Sequence, residues 1–194
     1  MTKNLAHMFR AILASLCLAT AGISSAQVLY GADGGGGNPA TNLLILNPAT
    51  GAVTSIVGPI GMAVTGMAFH PVTGVLYGST GGKSPVNPRS IITINTTTGA
   101  GTLVGATGLG NPLADLSFRA DGTLFGWSEA GDDLATVNLA TGVATIVSDS
   151  GLTTAGSGLT FSGATLFFAG NGASGDFYTI NPATGLSTVI STLN

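Results

Sequence analysis

The chain has 194 residues, of which 31 are glycine and only 7% are charged, a composition poor in the long helix formers that a helical bundle needs. Its five basic residues stand against eight acidic ones, and this net charge of −3 argues against a nucleic-acid partner, because phosphate binding requires clustered lysine and arginine. Apolar residues make up 44% of the chain and are spread along it, so we expect it to fold rather than remain disordered.

The first 26 residues have the pattern of a secretory signal peptide. Lys3 and Arg10 precede an apolar run, 11–23, and small residues occupy the positions before a cleavage site after Ala26. The run is 13 residues long where a membrane-spanning helix needs about 20, which favours a signal peptide over a membrane-spanning helix. The mature chain, 27–194, has no second hydrophobic run of that kind, so we expect no membrane span in it. The sequence therefore predicts a secreted or periplasmic protein. Its single cysteine, Cys17, falls inside the signal, so we expect no disulfide.

A turn motif that begins with asparagine and ends with glycine recurs four times, at spacings of 43 to 48 residues. The four copies lie at 47–51, 95–99, 138–142 and 181–185, each between two apolar runs. An asparagine side chain can accept hydrogen bonds from the turn amides, and glycine supplies a positive φ, so each copy predicts a β-hairpin. The copy at 95–99 also matches a glycosylation sequon, but the turn role explains all four asparagines.

A second hairpin recurs in phase with the first, at 66–78, 115–126 and 158–167, with the alternation of apolar and polar residues typical of half-buried strands. Each full unit therefore has four antiparallel strands, here labelled a to d in chain order. The first unit has only b, c and d. Four such units predict an all-β protein, a β-propeller or partial propeller of about four blades whose first blade lacks its inner strand. The approximate blades of this single domain are 27–60, 61–110, 111–154 and 155–194.

The units resemble the repeats of exported bacterial β-propellers of the NHL and quinoprotein-like kind. The resemblance rests on the recurring cadence G-L-x-F, G-x-L-Y/F-G, I-N-x-x-T-G and V-G, and it covers nearly all of 28–194. It implies the propeller architecture. It implies little about activity, because propellers host unrelated functions.

Charged residues concentrate in one set of loops. The a–b and c–d turns are short and uniform, whereas the b–c and d–a connections are long and variable, and the topology puts these two sets on opposite faces. Functional groups concentrate in loops held on a rigid scaffold, although loops also hold charges simply because strands bury other residues. The candidate binding residues in the variable loops are Asp33, Lys83, Arg89, Glu129, Asp132, Asp133, Asp149 and Asp176.

No metal, cofactor or catalytic set stands out. Asp132 and Asp133, with Asp33 and Asp176 in equivalent loops, could gather oxygen ligands around Ca²⁺, but the spacing of a known calcium loop is missing, so we expect neither a metal nor a cofactor. His70, the one histidine of 27–194, has no acid–base partner near it in sequence and is expected to lie at the surface beside a turn.

The aromatic residues of the b strands are expected to form the core between blades rather than a sugar-binding platform. They are Trp127, Tyr30, Tyr77, Phe125 and Phe167.

Two function hypotheses remain. The first is an exported non-catalytic module that binds a protein, a glycan or a surface through its variable loops. The alternative is an exported propeller enzyme of the quinoprotein dehydrogenase, lactonase or lyase type, which needs convergent acid–base groups near the axis. Only Asp115 and Arg119 are charged on or near an a strand, which favours the module.

The missing inner strand bears on assembly. A ring of blades needs that strand to complete the first blade, and an open arc would expose the flat faces of its end blades. We expect either a homo-oligomer in which two arcs approach an eight-bladed ring, or a fragment of a longer propeller. A tight four-bladed closure is the third alternative.

Overall fold

The structure, a computed structural model, describes residues 28–33, 40–129, 131–153, 157–170 and 176–191. The predicted signal peptide, with Cys17 and the cleavage site after Ala26, lies outside these residues. The described residues form fifteen β-strands, and they include no helix long and apolar enough to cross a membrane.

The strands form four antiparallel sheets, each in chain order across the sheet. The first sheet contains β1 (Leu29–Ala32), β2 (Asn42–Leu46) and β3 (Val53–Pro59). The second contains β4 (Val64–Phe69), β5 (Leu76–Thr80), β6 (Ser90–Ile94) and β7 (Gly101–Ala106). The third contains β8 (Leu113–Phe118), β9 (Leu124–Ser128), β10 (Asp133–Val137) and β11 (Ala144–Asp149). The fourth contains β12 (Ser157–Ser162), β13 (Thr165–Gly170), β14 (Phe177–Ile180) and β15 (Ser187–Ser191).

This arrangement confirms the predicted fold class. The four sheets are the blades of a β-propeller, and the first has three strands where the others have four. The inner a strands β4, β8 and β12 lie side by side in that order, so the blades follow one another around an axis as the chain proceeds. Three complete units and a first unit with only b, c and d predict fifteen strands, and the described residues contain that number.

The four asparagine turns have the predicted chemistry. The Asn138 side-chain oxygen accepts the amides of Ala140 at 2.9 Å and Thr141 at 3.3 Å, and the other three copies repeat the pattern. The closing glycines all have a positive φ, a conformation that L side chains adopt only at a cost. These φ values are 71° for Gly51, 81° for Gly99, 77° for Gly142 and 73° for Gly185.

Successive blades pack through two different faces. We call the face that a blade turns toward the next blade in the chain its front face, and the opposite one its back face. An aromatic residue on the front of each of the first three b strands contacts a phenylalanine on the back of the next a strand. The three ring pairs are Tyr30–Phe69 at 5.6 Å, Tyr77–Phe118 at 5.5 Å and Phe125–Phe161 at 5.4 Å between centroids.

One apolar cluster fills each of the three junctions between blades. Trp127 is fully buried in the third, with its ring 3.9 Å from that of Phe168. The predicted inter-blade role is thus confirmed for Tyr30, Tyr77, Phe125 and Trp127. It is not confirmed for Phe167, which lies on the front of the last blade and stacks at 5.5 Å on Phe177 of its own sheet.

Candidate functional site

The connections b–c and d–a form one end of the blades, which we call the loop face. Its described residues are 33, 40–41, 81–89, 129, 131–132 and 176 between strands b and c, and 60–63, 107–112 and 150–153 between blades. Because consecutive strands are antiparallel, the a–b and c–d turns lie at the opposite end, the turn face. Parts of the loop face, 34–39, 130, 154–156 and 171–175, lie outside the described residues.

A repeated hydrogen bond ties the two sets of connections together. In the first three blades, the carbonyl of the residue before strand c accepts a hydrogen bond from the residue that follows strand d. Ile60 N lies 2.8 Å from Thr41 O, Thr107 N lies 2.9 Å from Arg89 O, and Ser150 Oγ donates to Asp132 O. Two candidate residues, Arg89 and Asp132, therefore occupy equivalent positions, and both have a positive φ, 51° and 50°. Hydrogen bonds therefore connect the b–c and d–a loops of this face to one another, so they are not independent loops.

The third blade brings three candidate carboxylates together. Asp133 begins β10 directly after Asp132 and pairs in register with Asp149 at the end of β11. The pKa of Asp133 is raised above its usual value, first by burial and then by the charges of Asp149 and Asp132. Asp149 is exposed and accepts the Gly151 amide at 2.8 Å, whereas Asp132 is buried.

Glu129 lies on the same blade, exposed, at the other end of the short connection that contains Asp132. The third blade therefore supplies an acidic patch of four residues: Glu129, Asp132, Asp133 and Asp149.

The other four candidates are distributed over the remaining blades. Asp33, on the first blade, accepts both the backbone amide and the side-chain amide of Asn42, which lowers its pKa. Lys83 and Arg89 share the b–c connection of the second blade, the former exposed and the latter half-buried. On the fourth blade, Asp176 accepts the Tyr178 hydroxyl at 3.1 Å, and burial with this bond raises the pKa of Tyr178.

These carboxylates do not assemble into a calcium site in the part of the chain that the structure describes. The described residues contain no group of three or more His, Cys, Asp or Glu side chains placed to hold a metal ion. Asp33, Asp132 and Asp176 belong to three different blades, which is why loop equivalence in the sequence does not translate into shared coordination.

His70 stabilises a turn on the turn face. Its Nδ1 accepts the amides of Val72 at 3.2 Å and Thr73 at 3.3 Å, and its ring lies 5.0 Å from that of Phe118. The residue is half-buried rather than fully exposed, because the next blade packs against it. Its position beside a turn agrees with the prediction.

Asp115 has a role that the loop pattern did not indicate. It lies on the inner strand β8 and accepts two backbone amides at 2.8 Å, from Leu116 to Oδ1 and from Leu159 of β12 to Oδ2. Burial raises the pKa of Asp115 to about 6, outweighing the two amide bonds, which lower it. The carboxylate therefore links the inner strands of two blades and titrates in a mildly acidic range.

The sequence contains one signal for this role. Gly66 and Gly158 occupy the positions equivalent to Asp115 in the other repeats. A Cβ at Gly66 would lie 2.5 Å from the Asp115 Cα, so the strands β4 and β8 approach each other closely at this position. At the next junction, between β8 and β12, the side chain of Asp115 bridges the two strands instead. An aspartate that replaces glycine in an inner strand is thus the feature to look for.

Comparison with known proteins supports the fold alone. No protein-family model and no curated protein matches the chain. A crystal structure of a nidogen/laminin complex matches 86% of this chain and 62% of that one, at a TM-score of 0.61 and 17% identity. A structural-genomics protein of unknown function from Bacteroides thetaiotaomicron matches 84% of this chain and 44% of that one, at a TM-score of 0.62 and 12% identity. The chain therefore spans less than two thirds of the length of either structure.

Proposed function

We propose that this protein is an exported, non-catalytic β-propeller module that binds a protein or a glycan through its loop face. The observation that carries the proposal is the difference between the two faces. On the turn face, each asparagine side chain of the motif accepts a hydrogen bond from a backbone amide of its own turn. On the loop face, the connections differ from blade to blade in length and in charge. A rigid scaffold with one variable polar face is the usual design of a binding module.

Charge indicates the chemistry of the partner. Six of the eight acidic residues lie on the loop face or, as Asp133 and Asp149 do, at the strand ends that border it, together with Lys83 and Arg89. Four of the six belong to the third blade. A partner with basic groups complements this face, and such pairing adds mainly to specificity and to the rate of association. The likeness to a structure of a nidogen/laminin complex supports the idea only by analogy, since it rests on the fold.

Export is proposed from the N-terminal pattern. The charged start, the apolar run 11–23 and the small residues before Ala26 are the three parts of a secretory signal. The binding surface would then face the periplasm or the exterior of the cell.

The enzyme alternative has less support. Asp115 is the inner-strand carboxylate that an axial active site would use, and its pKa of about 6 suits acid–base work. However, both of its oxygens accept backbone amides, so its geometry fits a structural link between blades.

The proposal is tested by binding of the purified protein to an array of glycans and of basic and acidic peptides. The loop-face variant combines Glu129→Gln, Asp133→Asn and Asp149→Asn. The control makes the same change in net charge on the turn face, with Asp121→Asn, Thr97→Lys and Ala183→Lys. We expect binding to basic members of the array that weakens with salt and that the loop-face variant loses by about tenfold or more. Equal loss in both variants, or an array without any bound member, contradicts the proposal.

A further inference from the structure

The back face of the first blade is uncovered where every other blade is covered. Each b strand carries a leucine on its back face, in register with the last residue of strand c. In the three later blades this leucine is buried by the preceding blade, with exposures of 2% for Leu76 and 0% for Leu124 and Leu166. Leu29, at the equivalent position of the first blade, is 43% exposed.

The front face of the fourth blade shows the matching gap. In the first three blades, the first apolar residue of strand c is fully buried. These residues are Leu43, Ile91 and Leu134 in blades one, two and three. Phe177, its equivalent, is only half-buried. The bulge residues of strand d, Val57, Val104 and Val147, pack against the next cluster, whereas their equivalent Ile190 is 50% exposed.

The turn glycines give an independent measure of the same opening. In the later blades this turn presses on strand d of the preceding blade. A Cβ at Gly99 would lie 2.4 Å from Gly58 O, one at Gly142 would lie 2.4 Å from Gly105 O, and one at Gly185 would lie 3.0 Å from Ser148 O. A Cβ at Gly51, in the first blade, would have nothing within 4 Å.

These two faces have the composition of a buried junction. None of the seven strands in the first and fourth sheets contains a charged residue, although exposed sheet faces and edges are normally protected by charges. Among the described residues, none of the three apolar clusters contains residues of both the first and the fourth sheet. The chain therefore does not cover these faces with its own described strands.

We propose that a second copy of this chain covers them, with the front face of the fourth blade of each copy packed on the back face of the first blade of the other. Three junctions of this kind already exist within the chain. In each of them the c-strand residue and the b-strand leucine belong to one cluster: Leu43 with Leu76, Ile91 with Leu124, and Leu134 with Leu166. Phe177 with Leu29 of the second copy continues the series.

The size and symmetry of the assembly are those of a specific but weakly associating dimer. Two arcs of four blades make eight, within the usual range of about 4–8 for propellers, and a two-fold axis gives both junctions at once. A four-stranded face covers roughly 300 Å² and a three-stranded face roughly 240 Å², from strands about 4.8 Å apart and about five residues long. Two junctions then bury roughly 1,100 Å², just above the roughly 1,000 Å² that a specific interface needs.

One difference from the internal junctions is set by the first blade. It has no a strand among the described residues, so Phe167 has no a-strand phenylalanine of the second copy to contact. The intermolecular junction is therefore smaller than the internal ones, and we expect it to dissociate at low protein concentration.

Sedimentation velocity on the purified protein, from low to high micromolar concentration, tests the pairing. We expect a monomer–dimer equilibrium whose dissociation constant rises at least about tenfold in Leu29→Lys and in Phe177→Lys. Val72→Lys is the control, because Val72 is 78% exposed in an a–b turn and lies on neither face. A monomer at all concentrations, or a dimer that Leu29→Lys and Phe177→Lys leave unchanged, overturns the proposal.

Cross-linking tests the orientation without requiring a destabilising change. In a Cys17→Ser background, one copy carries Leu29→Cys and the other Phe177→Cys. Mild oxidation should join them only in the mixture, and the product should be a dimer. Cross-linking of Leu29→Cys with itself would show that equal faces pair, and long head-to-tail chains from the double variant would show that the ring does not close. Either result overturns the two-copy ring.

Discussion

The contact between turn and preceding blade makes a sharp prediction about glycine. Gly142 and Gly51 have nearly the same φ, 77° and 71°, and close equivalent turns. They differ in surroundings, because Gly142 lies against Gly105 of the blade before it, whereas a Cβ added at Gly51 would have nothing within 4 Å. Alanine at the two positions therefore separates the cost of the backbone conformation from the cost of pushing two blades apart.

The conformational cost is shared. An alanine held at positive φ costs about 1–2 kcal/mol, and the entropy that alanine removes from the unfolded chain is the same at both sites. At Gly142 the new Cβ would also lie 2.4 Å from Gly105 O and 2.6 Å from its carbonyl carbon, which are backbone atoms that cannot rotate away. Such overpacking costs about 1–3 kcal/mol more. We expect Gly51→Ala to lower the free energy of unfolding by about 1–2 kcal/mol and Gly142→Ala by about 2–5 kcal/mol.

The assay is urea unfolding followed by the fluorescence of Trp127, which is fully buried at the junction of the third and fourth blades. Protein concentration must be low, so that a second copy does not cover Gly51. Ala140→Ser, in the same turn as Gly142, is the control and should change the free energy of unfolding by less than about 0.5 kcal/mol. Equal losses for Gly51→Ala and Gly142→Ala, with unchanged urea dependence, would refute the blade contact.

Three further predictions concern Asp115, Trp127 and the cleavage site before Gln27. The pKa of Asp115 is raised to about 6, so its stabilising contribution is complete below pH 3.8 and disappears as the pH rises through 6. The free energy of unfolding of the native protein, relative to Asp115→Asn, should therefore fall by on the order of 3 kcal/mol across that window in urea titrations. Trp127→Ala removes the single tryptophan of the chain, so its unfolding in urea must be followed by far-ultraviolet circular dichroism. We expect it to cost about 3–5 kcal/mol, and a loss below about 1 kcal/mol would contradict its place in the core. The intact mass of the exported protein should correspond to a chain that begins at Gln27. A product that retains Cys17 would contradict the signal-peptide prediction.

The local parts of the fold could be predicted because the chemistry of each turn is contained within five residues. Asn138 and Gly142 specify their hairpin through hydrogen bonds and a φ value that do not depend on the rest of the protein. Four copies in phase then determine the strand order, and strand order alone determines which connections share the loop face. The sequence therefore predicts Arg89 on that face and Asp133 at or beside it.

Contacts between blades could not be predicted in the same way. Burial of Asp115 depends on the spacing of β4, β8 and β12, and no local pattern specifies that spacing. The register that puts Asp133 opposite Asp149 depends on a bulge in β10–β11, between Leu134 and Ala135. Glycines such as Gly105 do not belong to a turn motif. A glycine is needed at Gly105 because a Cβ there would clash with the backbone of the next blade.

The binding role of the loop face is tested most directly by hydrogen–deuterium exchange on the protein bound to the tightest ligand of the array. We predict slower exchange at 81–89, 129–132 and 150–153, and unchanged exchange at the turns 95–99 and 138–142. The result that would contradict the binding role is protection confined to those turns, or to β1 and β15 at the two ends of the arc.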